Sequence, residues 1–250
     1  MCTVSFIPTT RGFYLAMNRD ERIAREAGLP PRMIAEKGCR ALYPSEPSGG
    51  TWISVNEHGV CLALVNWHRV ERVPPGELVS RGEVVKALAT AGSLSGIDKN
   101  LRGLPLSQMR PFRLMAVANS EQRVGEYRWN LKKVSTRRYG WTRRHWFSSG
   151  YDEQKATRVR TRICQQAWRQ DNAGSLKWLR ELHASHLPER GPFSVCMHQA
   201  MANTVSYTEV AVENQAVIMI YKAGPACSAE RIHEVILGQQ NKSQEPPSRV

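Results

Sequence analysis

Cys2 directly follows the initiator methionine, and this position gives its thiol an unusual chemical option. Cysteine is small enough for the methionine ahead of it to be removed, which leaves one residue with both a thiol and a free α-amine. The α-amine titrates at about 7.7–8.0 and can act as base for the nucleophile of its own residue, as in enzymes with an N-terminal threonine. The sequence therefore predicts a covalent catalyst that needs no distant histidine.

A charged run, Arg19-Asp20-Glu21, is predicted to lie beside Cys2. Two β-favouring segments, residues 1–8 and 13–17, are separated by a turn and should pair as a hairpin that returns the charged run to the level of Cys2. A cation near the sulfur favours the thiolate, and a carboxylate can hold and orient the amine. The alternative is that these three charged residues form a solvated turn after a strand.

The composition indicates one globular domain. The chain has 250 residues, a hydrophobic fraction of 41% and seven tryptophans, which is enough for a substantial core. We predict a single domain over residues 1–237 and a disordered tail over 238–250, since the tail is polar and contains prolines. No apolar run approaches the roughly 20 residues of a membrane-spanning helix, and no signal peptide is recognisable, so a cytoplasmic location is expected.

The cysteines and histidines do not form a recognisable metal motif. The six cysteines are widely spaced without a C-x-x-C pair, which argues against a zinc site and against a disulfide framework. His183 and His186 are spaced i, i+3 on a predicted helix, a spacing compatible with metal or haem ligation. Histidines near a helix end more often interact with its carbonyl groups, so no metal site is predicted.

The net charge of +13 raises the question of an anionic partner, and the basic residues are densest over residues 132–147. Aromatic side chains among cations could stack nucleic-acid bases or a porphyrin-like ring. The alternative is a twisted strand and loop with a solvated basic face. No nucleic-acid motif accompanies the segment, so no specific nucleic-acid partner is predicted. Its aromatic members are Tyr139, Trp141, Trp146 and Phe147.

Strand and helix signals alternate in blocks rather than as βαβ units. This favours an α+β fold of antiparallel sheets over a parallel Rossmann-type sheet. One strand ends at Asn66, and His68, two residues further on, could line the same cleft as Cys2. Besides the first two strands, the predicted strands cover 51–55, 60–65, 112–118, 123–129, 131–136, 194–198, 204–212 and 216–221, and the predicted helices cover 81–91, 152–171 and 175–186.

Several short segments together resemble the NRDE family, which includes the Transport and Golgi organisation proteins. The resemblance is strong over residues 1–85 and continues more weakly through 194–197 and 204–208. The combination is specific, whereas Asn-Arg-Asp-Glu alone would not be. The matching segments are Met1-Cys2-Thr3, Asn18-Arg19-Asp20-Glu21, Gly49-Gly50-Thr51-Trp52, Leu64-Val65-Asn66 and Glu77-Leu78-Val79-Ser80-Arg81-Gly82.

This family is similar to the N-terminal nucleophile hydrolases and, more distantly, to the cysteine acylases that cleave penicillin V and conjugated bile salts. The resemblance implies a four-layer αββα sandwich of antiparallel sheets. It implies that Asn66 helps to form an oxyanion hole and that Asp20 contacts the free amine. Arg19 substitutes for an acylase arginine that lies just before an asparagine, where this chain has Met17. Ser149 lies where the acylases have another asparagine.

The leading functional prediction is hydrolysis of a non-peptide amide or related acyl bond in a small molecule, without a cofactor. The alternative is a haem-binding or haem-trafficking protein on the same fold without catalysis, because some family members are linked to moving haem out of the compartment where it is made. A nucleic-acid binder attracted by charge alone is a third reading. The predicted catalytic residues are Cys2, Arg19, Asp20 and Asn66, and the predicted binding residues are Asn18, Glu21, Thr51, Trp52, His68 and Ser149.

Overall fold

A computed structural model of the chain describes residues 2–70, 72–214, 216–228 and 231–238. Within these residues the chain forms two antiparallel sheets, one of six strands and one of seven. The strands are β1 (Cys2–Thr9), β2 (Gly12–Arg22), β3 (Leu29–Glu36), β4 (Cys39–Ser45), β5 (Ile53–Asn56), β6 (Val60–Asn66), β7 (Phe112–Ala118), β8 (Arg123–Trp129), β9 (Val134–Tyr139), β10 (Arg144–Ser148), β11 (Ala202–Glu213), β12 (Ala216–Lys222) and β13 (Ile232–Gly238). The helices are α1 (Gly82–Leu88), α2 (Leu94–Leu101), α3 (Glu153–Ala167) and α4 (Leu176–Ala184).

The two sheets pack face to face, and each carries helices on its outer side. The six-stranded sheet has the order β10-β1-β2-β11-β12-β13, and the seven-stranded sheet runs from β3 to β9 in chain order. One buried cluster lies between the sheets, a second joins β6–β8 to α1 and α2, and a third joins the six-stranded sheet to α3 and α4. This arrangement is the predicted four-layer αββα sandwich.

Strand β6 shows how a central strand is specified. Cys61, Ala63 and Val65 belong to the cluster between the sheets, whereas the alternate residues Leu62 and Leu64 pack towards α1 and α2. Both faces of the strand are buried, so it is apolar at every position up to Asn66. The polar residue comes where the strand leaves the core.

The β1–β2 hairpin positions the charged run. Cys2 is paired with Arg19 on one side and with Ser148 of β10 on the other. Side chains alternate along a strand, so Arg19 lies on the same face as Cys2, between the sheets, whereas Asp20 lies on the face that carries α3. The alternative prediction of a solvated turn is wrong, because β2 continues through Arg22 and Arg19 and Asp20 are buried.

Several predicted boundaries need correction. Strands β3, β4, β10 and β13 and helix α2 were not predicted, and α3 and α4 end earlier than expected, at Ala167 and Ala184. Residues 194–198 do not form a strand; they form a buried loop with one isolated bridge between His198 and Asn203. The predicted tail lies outside the described residues from 239 onward. No described helix is long and apolar enough to cross a membrane.

Candidate active site

A cavity of about 330 Å³ opens at the end of the core between the sheets, and Cys2 lies in its wall. Its lining combines a single thiol with several charged side chains, which is the composition expected of a reactive site rather than of a packing defect. The predicted site residues that line it are Cys2, Arg19, Asp20, Glu21, Thr51, Trp52 and Asn66.

The Cys2 side chain is buried, with 8% of its surface exposed. Burial raises the pKa of the Cys2 thiol, and the Asp20 carboxylate acts in the same direction. The backbone N–H of Asp20 and the Arg19 guanidinium lower it, but they do not outweigh burial. The neighbouring cation thus favours the thiolate, as expected, but burial has the larger effect on the pKa. Cys2 needs a base to become a nucleophile.

Arg19 is held against an aromatic ring and a carboxylate. Its guanidinium lies over the Trp52 ring at 4.4 Å from the ring centroid, and its Nη2 donates a hydrogen bond of 2.6 Å to Glu46 Oε1. A partly buried carboxylate at this distance balances most of the positive charge. Arg19 consequently shapes the cavity wall and contributes little free positive charge to the thiol.

Asp20 is fixed by two side chains that approach it from different elements. Thr204, on β11, donates a hydrogen bond of 2.7 Å to Asp20 Oδ1, and Arg160 Nη2, on α3, lies 3.4 Å from Oδ2. Arg160 is completely buried and also donates to Thr3 Oγ1 at 2.9 Å and to the Cys2 carbonyl oxygen at 3.4 Å. The guanidinium thus holds the backbone of Cys2 and the carboxylate of Asp20 in one rigid unit.

Asn66 ends β6 at the cavity wall. Its carbonyl oxygen accepts a hydrogen bond of 2.7 Å from Ser148 Oγ, and Ser148 is the cross-strand partner of Cys2. The backbone of Asn66 is thereby tied to the strand beside the nucleophile. Among the described residues no hydrogen-bond partner of its side-chain amide is found, so the amide is available to an oxygen atom in the cavity.

Two arginines that were not predicted, Arg81 and Arg110, complete the charged lining. Burial and the positive charge of Arg110 together lower the pKa of Arg81 to about 10. Neither arginine forms a salt bridge with any carboxylate in the described part of the chain. The backbone that carries Arg81 approaches so closely that a Cβ on Gly82 would lie 2.7 Å from the Thr51 nitrogen, so only glycine fits there.

Three predicted binding residues lie outside the cavity. The Asn18 amide donates to the carbonyl oxygens of His183 and Val195, both at 2.9 Å, and so fastens α4 to the sheet. Ser149 Oγ accepts hydrogen bonds from the backbone of residues 151 and 152, in the turn before α3. His68 packs against Gly150, where an added Cβ would lie 3.1 Å from the imidazole.

A second, larger cavity of about 950 Å³ adjoins the first and shares Asp20, Glu21 and Asn66 with it. His68 lines this second cavity, and burial lowers the pKa of its imidazole to about 4, so the ring is neutral at pH 7. The other lining residues include Ile23, Tyr151 and Met201, which are large apolar side chains with more than half of their surface exposed. Exposed apolar groups around a cavity are typical of a binding surface.

The aromatic residues of segment 132–147 are not arranged as a stacking surface. Trp146 is 4% exposed in the core, and Trp141 packs edge-on against Phe6 and Phe13. The Tyr139 ring is already covered by Arg144, whose guanidinium lies 3.8 Å from the ring centroid. The expectation that these rings could stack bases or a porphyrin is therefore wrong, and the twisted basic strand describes the segment better.

The residues that sequence reasoning missed reach the site from distant segments. Arg160 lies among the buried positions of α3, with Ala156, Ile163 and Cys164. A charged residue at core spacing in a predicted helix is a signal for a buried ion pair, and this signal could have located Arg160. Arg81 belongs to one of the segments that resemble the NRDE family, but its residue type and position alone assign it no role. Nothing in the sequence around Arg110 marks it as a site residue.

Comparison with solved structures identifies the class of fold. The crystal structure of a C2A mutant of conjugated bile acid hydrolase from Clostridium perfringens superposes with a TM-score of 0.60 at 10% sequence identity, covering 96% of this chain and 94% of that one. Penicillin V acylase from Agrobacterium tumefaciens gives a TM-score of 0.53 at 11% identity, covering 94% and 86%. At such low identity the likeness establishes the fold alone, and it confirms the predicted α+β sandwich of antiparallel sheets.

The sequence model for Transport and Golgi organisation 2 matches residues 1–186, and the chain belongs to that family. The predicted family resemblance is thereby confirmed. A comparison with curated protein sequences found none that matches.

Proposed function

We propose that the protein is an N-terminal cysteine hydrolase acting on a non-peptide amide or related acyl bond, once Met1 has been removed. The observation that carries the proposal is the grouping of Cys2, Asp20 and Asn66 around one cavity, with Asp20 clamped by Arg160 and Thr204. A nucleophile, a fixed carboxylate and an available amide are the parts that acyl transfer requires.

The reaction is a double displacement in which the Cys2 amine acts as base and then as acid. The amine takes the thiol proton while sulfur attacks the substrate carbonyl carbon, and the Asn66 amide donates to the oxyanion. Collapse of the tetrahedral intermediate breaks the C–N bond, and the amine returns the proton to the leaving nitrogen. Water then attacks the thioester, the C–S bond breaks, and the carboxylic acid and the free thiol are released.

Asp20 would orient the amine in both steps. The carboxylate is buried and is held through both oxygens, so it cannot rotate away from the end of β1. A fixed negative charge near an ammonium group stabilises its protonated form, which is the form that must donate to the leaving nitrogen.

The two cavities indicate a substrate with one anionic end and one apolar end. Arg81 and Arg110 line the smaller cavity without carboxylate partners and would receive a carboxylate or phosphate group. Ile23, Tyr151 and Met201 line the larger cavity and would contact an apolar acyl portion. Asp20 and Asn66 line both cavities, so a substrate that spans the two would carry its scissile bond beside Cys2.

The test begins with the intact mass of the purified protein and continues with a panel of N-acyl amino acids and their uncharged carboxamides. We expect Met1 to be absent, and Cys2→Ser to reduce turnover at least about a thousandfold without a change in unfolding midpoint. Cys39→Ser, a buried cysteine remote from the cavity, is the matched control and should keep full activity. Retained Met1, or equal turnover by wild type and Cys2→Ser, would refute the proposal.

Haem binding on the same fold is a second candidate, and the larger cavity supports it. A volume of about 950 Å³ accommodates a porphyrin-sized ligand, and His68 supplies a neutral imidazole at its wall. Titration with ferric haem should then shift the Soret band, and His68→Ala should remove the shift. Haem binding that survives in Cys2→Ser, together with absent acyl turnover in the wild type, would favour this candidate over hydrolysis.

A further inference from the structure

Four metal-ligand side chains meet on the other side of Asp20 from the proposed nucleophile. His186 follows the end of α4, Cys196 and His198 lie in the loop before β11, and Cys227 lies in the connection from β12 to β13. His186 lies 12 residues before His198 and Cys227 lies 29 residues after it, yet one ligand atom from each of the four residues falls within 4.8 Å of the others. We refer to these four residues as the Cys₂His₂ cluster.

The spacing within the cluster matches the edges of a tetrahedron around a metal ion. His198 Nε2 lies 3.2 Å from His186 Nε2, 3.6 Å from Cys196 Sγ and 3.4 Å from Cys227 Sγ. Tetrahedral zinc, with Zn–N of about 2.05 Å and Zn–S of about 2.3 Å, requires N···N of about 3.3 Å and N···S of about 3.6 Å. All three edges that start at His198 Nε2 agree with these values to within about 0.2 Å.

We propose that the Cys₂His₂ cluster binds a zinc-like divalent cation with all four side chains as ligands. Two thiolates and two imidazoles form a closed structural set that leaves no position open for water or substrate. Soft sulfur ligands select zinc over magnesium and calcium, which prefer oxygen. This proposal replaces the sequence-based expectation that no metal is bound, which rested on the absence of a C-x-x-C pair.

Metal binding by the cluster would release protons. A cation displaces the protons of the two thiols and is held by the resulting thiolates, while each imidazole binds through a ring nitrogen.

One neighbour must move when the metal binds. Arg190 Nη2 lies 3.3 Å from His198 Nδ1, and ligation through Nε2 places the ring proton on Nδ1. Two donors would then face each other. Arg190 is exposed, so its side chain can turn into solvent.

A bound cation would fasten three segments that are otherwise joined by few hydrogen bonds. It would tie the β12–β13 connection to the end of α4 and to the loop that contains Met197. That loop contacts the proposed active site, because the Met197 N–H donates to Thr204 Oγ1 at 2.9 Å and Thr204 donates to Asp20. The metal proposal does not depend on the hydrolase proposal, since it concerns only the cluster.

The test uses the full-length, untagged protein, with metal content measured by plasma mass spectrometry after dialysis and binding followed with Co²⁺. We expect about one equivalent of zinc per chain, and Co²⁺ should give thiolate-to-metal charge-transfer bands and tetrahedral ligand-field absorption. Cys227→Ser and His186→Gln should each weaken binding at least about tenfold. Cys227 is exposed, so its substitution leaves the core intact.

Cys39→Ser is the control, because Cys39 lies near another histidine and a glutamate, His58 and Glu57, without belonging to the cluster. It should bind Co²⁺ like the wild type. Binding that persists in both cluster variants, or a wild type without metal and without charge-transfer bands, would overturn the proposal. So would a Cys196–Cys227 disulfide, detected as a mass about 2 Da lower, in freshly purified protein that takes up no metal after reduction.

Discussion

Cys2 and Cys196 are both buried thiols whose pKa is raised by burial, yet their surroundings suit opposite kinds of chemistry. Cys2 is one sulfur beside a carboxylate and a guanidinium at the wall of a cavity. Cys196 is one of two sulfurs beside two imidazoles. Burial alone does not separate a nucleophile from a metal ligand. Fixed charges that can orient an amine favour the first role, and neighbouring soft ligands favour the second.

The two regions are coupled through Asp20. On one side Arg160 holds Asp20 Oδ2 and the backbone of Cys2, and on the other Thr204 holds Asp20 Oδ1 and the loop that carries Cys196 and His198. Replacing Arg160 or Thr204, the two partners of Asp20, therefore tests whether the proposed active site or the Cys₂His₂ cluster depends more on this carboxylate.

Substitution of Arg160 should have the largest effect. Arg160→Met removes the guanidinium that pairs with the buried Asp20 carboxylate, which should lower the free energy of unfolding by about 3–5 kcal/mol. The loss would be measured by urea denaturation. Arg128→Met is the matched control, because Glu126 keeps its salt bridge to Arg113, and its expected loss is below about 1 kcal/mol. Equal losses in the two variants would show that Asp20 does not carry a buried charge.

Acid should destabilise the folded protein through the buried His183, because the unfolded chain binds a proton at this histidine more tightly than the folded protein does. Burial lowers the pKa of His183 to about 3, with further lowering by His145 and Arg160, so the folded protein binds its proton more weakly than the unfolded chain does. Below about pH 6.5 the unfolded state takes up more protons, and stability falls by about 1.4 kcal/mol per pH unit for such a group. Between pH 6.5 and pH 5 the expected loss is about 2 kcal/mol from His183.

The measurement is the urea midpoint at pH 7, 6 and 5, in the wild type and in His183→Gln, whose amide can replace the hydrogen bonds to Ser5 and Asn18. The variant should show a shallower decline. His58→Gln, at an exposed turn, should follow the wild type at every pH. A pH-independent wild type would contradict the buried neutral imidazole.

The contrast between His183 and His186 shows what the sequence could and could not predict. Their i, i+3 spacing was recognised, but it could not tell that His183 points into the sheet while His186 joins residues from two other segments. Local sequence patterns predicted which residues lie together where those residues are on strands that follow one another in the chain. Cys2 and Arg19 face each other in one hairpin, and the apolar pattern of β6 marks its end at Asn66.

Contacts between segments far apart in the chain left no such local signal. Arg160 reaches Asp20 from a helix that begins more than a hundred residues later, and Cys227 reaches His198 from the connection between two late strands. Periodicity reports which face of an element is buried, but it does not report which other element buries that face. The charged residue in the core spacing of α3 was the clue that could have located Arg160.

Thr204→Val should have the smallest effect on the free energy of unfolding, and it tests most directly the coupling between the Cys₂His₂ cluster and the proposed active site. Valine keeps the volume but removes the hydrogen bond from Thr204 to Asp20 Oδ1 and the acceptor of the Met197 N–H, so the expected loss is about 1–2 kcal/mol. Thr157→Val, which removes one hydrogen bond within α3, is the control and should cost about 0.5 kcal/mol.

If the loop is held by the Cys₂His₂ cluster as well as by Thr204, saturating zinc should restore part of the stability that Thr204→Val loses. The same zinc should have no such effect in a double variant that also carries Cys227→Ser. A zinc effect of equal size in Thr204→Val with and without Cys227→Ser would contradict the coupling between the cluster and the loop.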